Sequence, residues 1–446
     1  MLKNKLKFTD KKKLIGLAFD DFQGYCNAEE PSIIAQEARL IPLLKTGDEG
    51  ALTSIFLSAV RLVKEYRDSI FKEIKLSRGG TPYYFTEVVF KDIDSKSRID
   101  GLIVVVSKGV IKDAVIFEMK NKNNSVDKDQ VDKYITLSKK IGVCNMVTIS
   151  NEFVSDSTQS PVNAKAPKNF NLFHFSWTYL MTRGQLLLFK NDANIQDEDQ
   201  VEIMKEVLHY IEAPASGVSG YHVMKSGWKD TVDKINQRIT LKSTDPLVEE
   251  AVESWYEEEK DMALLMSRKL GVHVKSAPRA KSSIKDDIKR LKENQELFGE
   301  LSIKNSVSDI KIRLDFEVKT VSMSVKVAPP LDKGTKARIT WIAKQLENAK
   351  KKNEEAFGII EKDLLIEANV KHARDNIRVP LSSLDDIIEE VNGREIQAFN
   401  IVVMSKFGAG FGSNKKFIVL IEKMVLDYYA GIVQYLTNWN RPAPKL

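Results

Sequence analysis

Apolar and polar positions follow two rhythms along this chain, and the rhythms mark out its elements. From Glu49 to Ile74 apolar residues return at helical spacing, with Leu52, Ile55, Phe56, Val60 and Val63 on one stripe. That pattern predicts a long helix over Asp48–Ile74. Tyr83–Phe90, Ser97–Val106 and Asp113–Lys120 are short runs rich in β-branched and aromatic residues, and predict three strands. Ser107-Lys108-Gly109 supplies turn chemistry between the last two. A helix carrying Gln130 and a strand at Asn145–Ser150 follow. After a polar, Pro-containing insertion (Ser155–Lys168) come a strand at Asn171–Phe175 and a helix from Ser176-Trp177. Upstream, Asn4–Asn27 reads as a strand or helix arm, and Pro31 opens a predicted helix through Leu44.

The later part of the chain reads differently. Ala213–Gly227, with Pro214 and its glycines, has the composition of a linker. Asp245-Pro246 supplies an N-cap and a first-turn proline for a long acidic helix, and Lys275–Lys292 is a basic loop running into another. Lys311–Val318 alternates, with Ile312, Leu314, Phe316 and Val318 on one face. The phase flips at Val321, Met323, Val325 and Val327, which predicts a turn or bulge near Thr320. Pro329-Pro330 closes the strand, and Gly334 begins a basic helix with Lys336, Arg338, Lys344 and Trp341. Gln397–Met404 predicts a strand, followed by a glycine loop and a long apolar helix ending near Trp439.

The chemistry concentrates in the hairpin. If its two runs pair antiparallel around Gly109, Asp100 falls nearly opposite the Glu118–Lys120 end. Strand alternation then turns Glu118 and Lys120 to one face and Met119 to the other. Two carboxylates and an ammonium at one sheet edge suit a hard divalent cation and a phosphodiester. These residues resemble a known family. Asp100…Glu118-Met119-Lys120 is similar to the D…(D/E)-x-K signature of the PD-(D/E)XK nuclease superfamily. Gln130-Val131-Asp132-Lys133-Tyr134 is similar to the Q-x-x-x-Y helix of its RecB-like branch. The resemblance covers roughly the first 180 residues; at the position before the aspartate this chain has Ile99 in place of proline.

The resemblance implies an α/β restriction-endonuclease-like domain with an αβββαβ core, a mixed sheet flanked by helices, over residues 1–212. A linker region at 213–243 and an α+β domain for substrate or partner recognition at 244–446 complete the expected organisation. It also implies Mg²⁺- or Mn²⁺-dependent cleavage, with Asp100, Glu118 and Lys120 catalytic and Gln130 and Tyr134 positioning substrate. A further metal acid from the first core helix is implied: Glu49 is the best match, with Glu87 on the strand before the hairpin as the alternative. The expected activity is that of a DNA endonuclease in restriction or anti-phage defence, with DNA favoured over RNA as partner. A homodimer or a defence-system partner protein stays open. So does a non-catalytic nucleic-acid-binding or scaffold protein, or a nuclease subunit active only within a complex.

Other features carry less. Glu317-Val318-Lys319 repeats the E-x-K spacing, but its only near upstream acid outside the strand is Asp309, with no hairpin turn between them. Gly408-Ala409-Gly410-Phe411-Gly412 lacks both the G-x-G-x-x-G spacing and a P-loop lysine, so it reads as a turn. The five histidines are scattered without ligand spacing, and His174 alone lies near the end of the nuclease-like region. Composition bounds the rest. Of 446 residues 43% are hydrophobic and 29% charged, which describes an ordinary globular protein with material for several cores. Net charge of +6 is compatible with nucleic acid without singling it out. Cys26 and Cys144 are too few for a disulfide framework, there is no long apolar run and no signal-peptide core, and a cytoplasmic protein without membrane association is expected.

Overall fold

The computed structural model describes residues 7–9, 11–41, 45–154, 156–164, 166–189, 194–279 and 281–440. It is an α/β protein with two sheets, and it divides into two compact units. The first comprises residues 1–221 with 267–272, and the second residues 222–266 with 273–446. Among the described residues no helix is long and apolar enough to cross a membrane.

In the first unit α1 (Phe19–Asn27) and β1 (Ile33–Glu37) lead into α2 (Glu49–Leu62) and α3 (Lys64–Glu73). Next come β2 (Thr81–Phe90), the short α4 (Lys91–Asp94), β3 (Ile99–Ser107) and β4 (Val110–Met119). Helix α5 (Lys128–Ile141), strands β5 (Asn145–Ser150) and β6 (Asn171–Ser176), and helices α6 (Trp177–Leu188) and α7 (Glu198–Glu212) complete the unit. The sheet order is β1-β2-β3-β4-β5-β6, antiparallel through β4 and parallel from β4 to β6. Hence β3 and β4 are interior strands, and their side chains meet a core on each face. One face packs under α2, α3, α6 and α7, the other under α1 and α5.

Several sequence expectations change here. The helix expected over Pro31–Leu44 is instead strand β1, and residues 42–44 lie outside the described residues. Its Ile33-Ile34 pair sits in register with Phe90 and Val89 of β2, so long-range pairing outweighs local helical spacing. The single helix expected over Asp48–Ile74 is two, because buried Val63 adopts an extended conformation (φ −106°, ψ 106°) between them. The arm at Asn4–Asn27 becomes helical from Phe19, with residues 1–6 and 10 outside the described residues. Ser155 and Lys165 of the expected insertion, and Ala280 of the expected basic loop, also lie outside them.

The region 213–243, expected as a linker, is structured. Pro214–Ser216 forms a 3₁₀ turn, and a helix at Ser226–Asn236 buries Trp228 completely. Trp228 packs against Phe316, Phe411 and Phe417 within the second unit, and its Nε1 donates to the Phe411 carbonyl at 2.8 Å.

The second unit is built on a seven-stranded, wholly antiparallel sheet. Its strands are β7 (Val274–Ser276), β8 (Glu296–Ile303), β9 (Ile310–Asp315), β10 (Thr320–Val327), β11 (Leu364–Val370), β12 (Ile377–Pro380) and β13 (Ile396–Lys406). They are ordered β12-β11-β13-β10-β9-β8-β7. The strand expected over Lys311–Val318 stops at Asp315, and 316–319 form the turn into β10, with Lys319 at φ 56°. Arg338, expected on a basic helical face, is buried and donates to the carbonyls of Lys333 and Pro330 at 2.8 and 3.1 Å. It therefore fixes the helix start and is unavailable to phosphate. The C-terminal helix ends at Gly431, short of Trp439, and Gly408–Gly410 is one turn of 3₁₀ helix.

Candidate active site

The site begins with a hairpin. Lys108 and Gly109 both have positive φ (53° and 73°), as a tight two-residue turn between right-twisted strands requires. The turn sets Gly101 opposite Phe117, which places Asp100 beside Glu118. Asp100 Oδ2 accepts a hydrogen bond from the Met119 amide at 2.8 Å, fastening the carboxylate to the partner strand. Met119 itself turns into the α2/α6 core, so Glu118 and Lys120 share the other side. Lys120 Nζ lies 2.6 Å from Glu118 Oε1 and 3.4 Å from Glu49 Oε2.

Glu49 arrives from the first turn of α2, and the chain around Lys120 holds it there. Asn121 donates to the carbonyls of Gly47 and Ser216 at 2.8 and 2.9 Å, tying down the loop that starts α2. Gly47 is required at this point: its φ is +84°, and a Cβ would sit 2.1 Å from the Ala215 carbonyl oxygen. Asn124 donates to Glu49 Oε1 at 2.7 Å, and Trp177 Nε1 donates to the Lys120 carbonyl at 2.7 Å. The sequence reading passed over Asn121, Asn124 and Trp177. The signal for the two asparagines was the run Lys120–Asn124, which has strand-breaking character and also carries several amide donors; nothing local marks Trp177.

Electrostatics set this corner apart. Glu118 is fully buried, and although Lys120 is at ion-pair distance, neither carboxylate oxygen has an aligned hydrogen-bond donor among the described residues. Burial raises the pKa of Glu118, and the neighbouring Asp100 raises it further, against the pull of Lys120. Asp100 is raised too, chiefly by burial, with the Met119 amide and Lys120 opposing. Burial alone would lower Lys120, but Glu118, Glu49 and Asp100 outweigh it and hold the ammonium above its ordinary value.

A cleft of about 580 Å³ opens over Asp100, Lys120 and Glu49. Lys96 and Arg98, just before β3, line one side of it, and Lys133 on α5 lines the other. Lys96 and Lys133 are exposed and make no ion pair among the described residues. Gln130 and Tyr134 line the α5 wall. The Tyr134 hydroxyl donates to the Arg98 carbonyl at 2.5 Å, and Gln130 Nε2 donates to that hydroxyl at 3.3 Å. The phenol is buried, which pushes its pKa up, so it stays protonated.

The structure thus brings Asp100, Glu118, Lys120 and Glu49 together, with Gln130 and Tyr134 alongside. It sets Glu87 apart: that residue occupies a left-handed bulge (φ 55°), and its carboxylate pairs with Arg98 at 2.8 Å. His174 is also structural. It lies in register with Thr148, and Thr148 with Glu118, across β6, β5 and β4. Its Nε2 is 2.9 Å from the Glu152 carbonyl, which can only accept, so the proton is on Nε2 and Nδ1 faces the Thr148 hydroxyl at 2.9 Å. Burial lowers its pKa to about 4, keeping the ring neutral.

Among the described residues no group of three or more His, Cys, Asp or Glu side chains could hold a metal ion. The Asp100–Glu118 pair is a two-carboxylate donor set, with the Glu118 oxygens buried and Oε1 2.6 Å from the Lys120 ammonium. That set fits Mg²⁺, which takes one or two carboxylates and fills the rest of its shell with water and phosphate. The chain matches no protein-family model, no curated protein and no solved structure.

Proposed function

We propose that the chain hydrolyses phosphodiester bonds of nucleic acid, DNA in preference to RNA, and that its first unit is a restriction-endonuclease-like nuclease domain. The observation that carries this reading is the convergence of Asp100, Glu118 and Lys120 at one end of the β3–β4 hairpin, under an open cleft. Asp100 and Glu118 would hold Mg²⁺ or Mn²⁺, and Glu49, engaged by Asn124 and Lys120, would brace the lysine beside them. When bound, the cation supplies Lewis acidity to the phosphoryl group and to the attacking water.

The chain's own groups supply the rest. Lys120 is held as an ammonium, so it donates hydrogen bonds and offsets the charge that develops on the phosphoryl oxygens; it does not take a proton. Lys96 and Lys133, with Asp129 also on the lining, give the cleft rim the positive charge that a phosphate backbone requires, unpaired among the described residues, while Arg98 is paired with Glu87. Tyr134 positions: its hydroxyl fixes the Arg98 carbonyl one residue before Ile99-Asp100, and so orients the start of β3. In the reaction water oxygen bonds to phosphorus, one sugar–oxygen bond to phosphorus breaks, and the proton ends on the leaving oxygen. The likeness of the first 180 or so residues to the PD-(D/E)XK superfamily supports the nuclease reading, and restriction or anti-phage defence is proposed as its setting by analogy. The second unit is proposed to select substrate or partner.

The test is incubation of the purified full chain with linear duplex, circular duplex and single-stranded DNA, with matching RNA, in Mg²⁺, Mn²⁺ or EDTA. Cleavage of at least one DNA form in either metal and none in EDTA is expected. Retention of every substrate uncut, with binding intact, would favour the non-catalytic reading.

A further inference from the structure

A second, more enclosed cavity of about 230 Å³ lies in the first unit at the open edge of β2, walled by α1 and β1 from one face of the sheet and by Tyr84 and the Arg61 side chain of α2 from the other. It shares no lining residue with the carboxylate cleft. Strand β1 ends at Glu37, opposite Phe85, while β2 runs on to Thr81, so the cavity opens where the edge strand stops. Its walls are aromatic. Phe19 of α1 and Tyr83 of β2 have ring centroids 4.1 Å apart, and half-buried Phe85 continues the surface.

Four polar side chains on these walls are unspent, whereas the Tyr84 hydroxyl donates to the Val60 carbonyl. Among the described residues the Arg61 guanidinium has neither a hydrogen-bond acceptor nor a carboxylate partner, and its Nε is enclosed. The Glu37 carboxylate is exposed and unpaired, and the Gln23 amide and Tyr83 hydroxyl make no hydrogen bond among the described residues. A half-enclosed guanidinium without an acceptor is costly, and a ligand that supplies one recovers that cost. Cys26, also on the wall, is held as a neutral thiol: burial pushes its pKa up to about 11.

The ligand chemistry follows from this inventory. Aromatic walls call for a flat ring, the guanidinium for two adjacent acceptors, and the carboxylate for donors on a neighbouring edge. A simple anion would face Glu37, and an apolar side chain would leave both charges desolvated. Adenine places a donor beside N7, where Arg61 needs a second acceptor; cytosine offers N3 and O2 as adjacent acceptors but only one donor group, its 4-amine, where guanine offers Glu37 two. We propose that this cavity binds a single guanine base, against Tyr83 and Phe85, with Arg61 donating to O6 and N7 and Glu37 accepting from N1–H and the 2-amino group. The base comes either from a free guanine nucleotide or from an unstacked guanine in a single strand. Neither source depends on the proposed hydrolysis.

Calorimetry on the full chain tests it with 5′-GMP, AMP, CMP and UMP, and with oligo-dT carrying one central dG against oligo-dT alone. GMP is expected to bind at least about tenfold tighter than the other nucleotides, the discrimination of one bidentate contact. Glu37→Ala, an exposed change that leaves melting unaltered, and Arg61→Lys should each remove that preference, whereas Asp100→Asn should leave it intact. A dG-dependent gain on the oligonucleotide, lost in Glu37→Ala and without a GMP signal, assigns the site to strand bases. A GMP signal without that gain assigns it to free nucleotide. No binding of any nucleotide or equal affinity for all four, in either case together with no dG effect, overturns the proposal, as does a cytosine preference or a guanine preference that survives Glu37→Ala.

Discussion

Glu118-Met119-Lys120 and Glu317-Val318-Lys319 have the same spacing and opposite surroundings. The first ends an interior strand, where Glu118 is fully buried and Asp100 and Glu49 stand within reach of Lys120. The second occupies the exposed turn between β9 and β10, with Val318 51% exposed and Glu317 in solvent. In water a carboxylate and an ammonium are worth little to each other. In the first unit burial raises both carboxylates and crowds them around one cation. An E-x-K acquires unusual chemistry when an interior strand and an incoming helix desolvate it.

The largest effect expected to sharpen this contrast is loss of cleavage. Because Glu118 is buried, truncation to alanine would also leave a cavity, so the informative changes are Asp100→Asn and Glu118→Gln. Each should abolish cleavage, with melting within a few degrees of wild type. Full activity in either variant would dissolve the distinction between the two tripeptides.

Next in size is a pH effect from the polar row behind Glu118. His174 titrates at about 4 in the folded chain, against its ordinary 6.5. Between those values the unfolded chain binds the proton and the folded chain does not. Stability from this group is therefore complete above about pH 6.5 and lost as pH falls towards 4, by roughly 3 kcal/mol. Denaturant melts between pH 7 and 4 should show this loss, and His174→Gln should flatten it. An unchanged acid limb in the variant would mean the row does not keep its proton out.

Smaller again is Tyr134→Phe. Removing the hydroxyl leaves the Arg98 carbonyl without that donor, at a cost of about 1 kcal/mol by chemical denaturation. Metal affinity measured by calorimetry should stay near wild type, since neither phenol nor amide is a good Mg²⁺ ligand. A large loss of metal binding would make α5 part of the metal site. Smallest is Glu317→Ala, which should change melting by less than about 0.5 kcal/mol and leave cleavage alone.

The hairpin was legible in the sequence because its signals are local: two β-branched runs, Lys108-Gly109 between them, and alternation that fixes which side Glu118 and Lys120 share. Local signals also placed the start of α6 near Ser176-Trp177, where the Ser176 side chain accepts from the Tyr179 amide at 3.1 Å. What the sequence left open depends on partners distant along the chain. Glu49 and Glu87 look alike as acids near the hairpin. They part only because Asn121 and Asn124 bring the first to Lys120, while Arg98 takes the second. The β1 segment carries both helical and strand patterning, and pairing with β2 decides it. Arg338 read as a surface cation because nothing nearby announces the carbonyls that surround it. The burial of Glu118 was missed for the same reason, since helices packed from other parts of the chain produce it.

The most direct test of the central claim is single-turnover cleavage by Lys120→Ala and Lys319→Ala, measured side by side with wild type in Mg²⁺ and in EDTA. Lys120→Ala should slow the chemical step at least about a hundredfold, since it removes a fixed charge from where the transition state becomes negative. Lys319→Ala should match wild type, and EDTA should silence all three. Wild-type rates in Lys120→Ala, loss of activity in Lys319→Ala, or cleavage that persists in EDTA would each contradict the account.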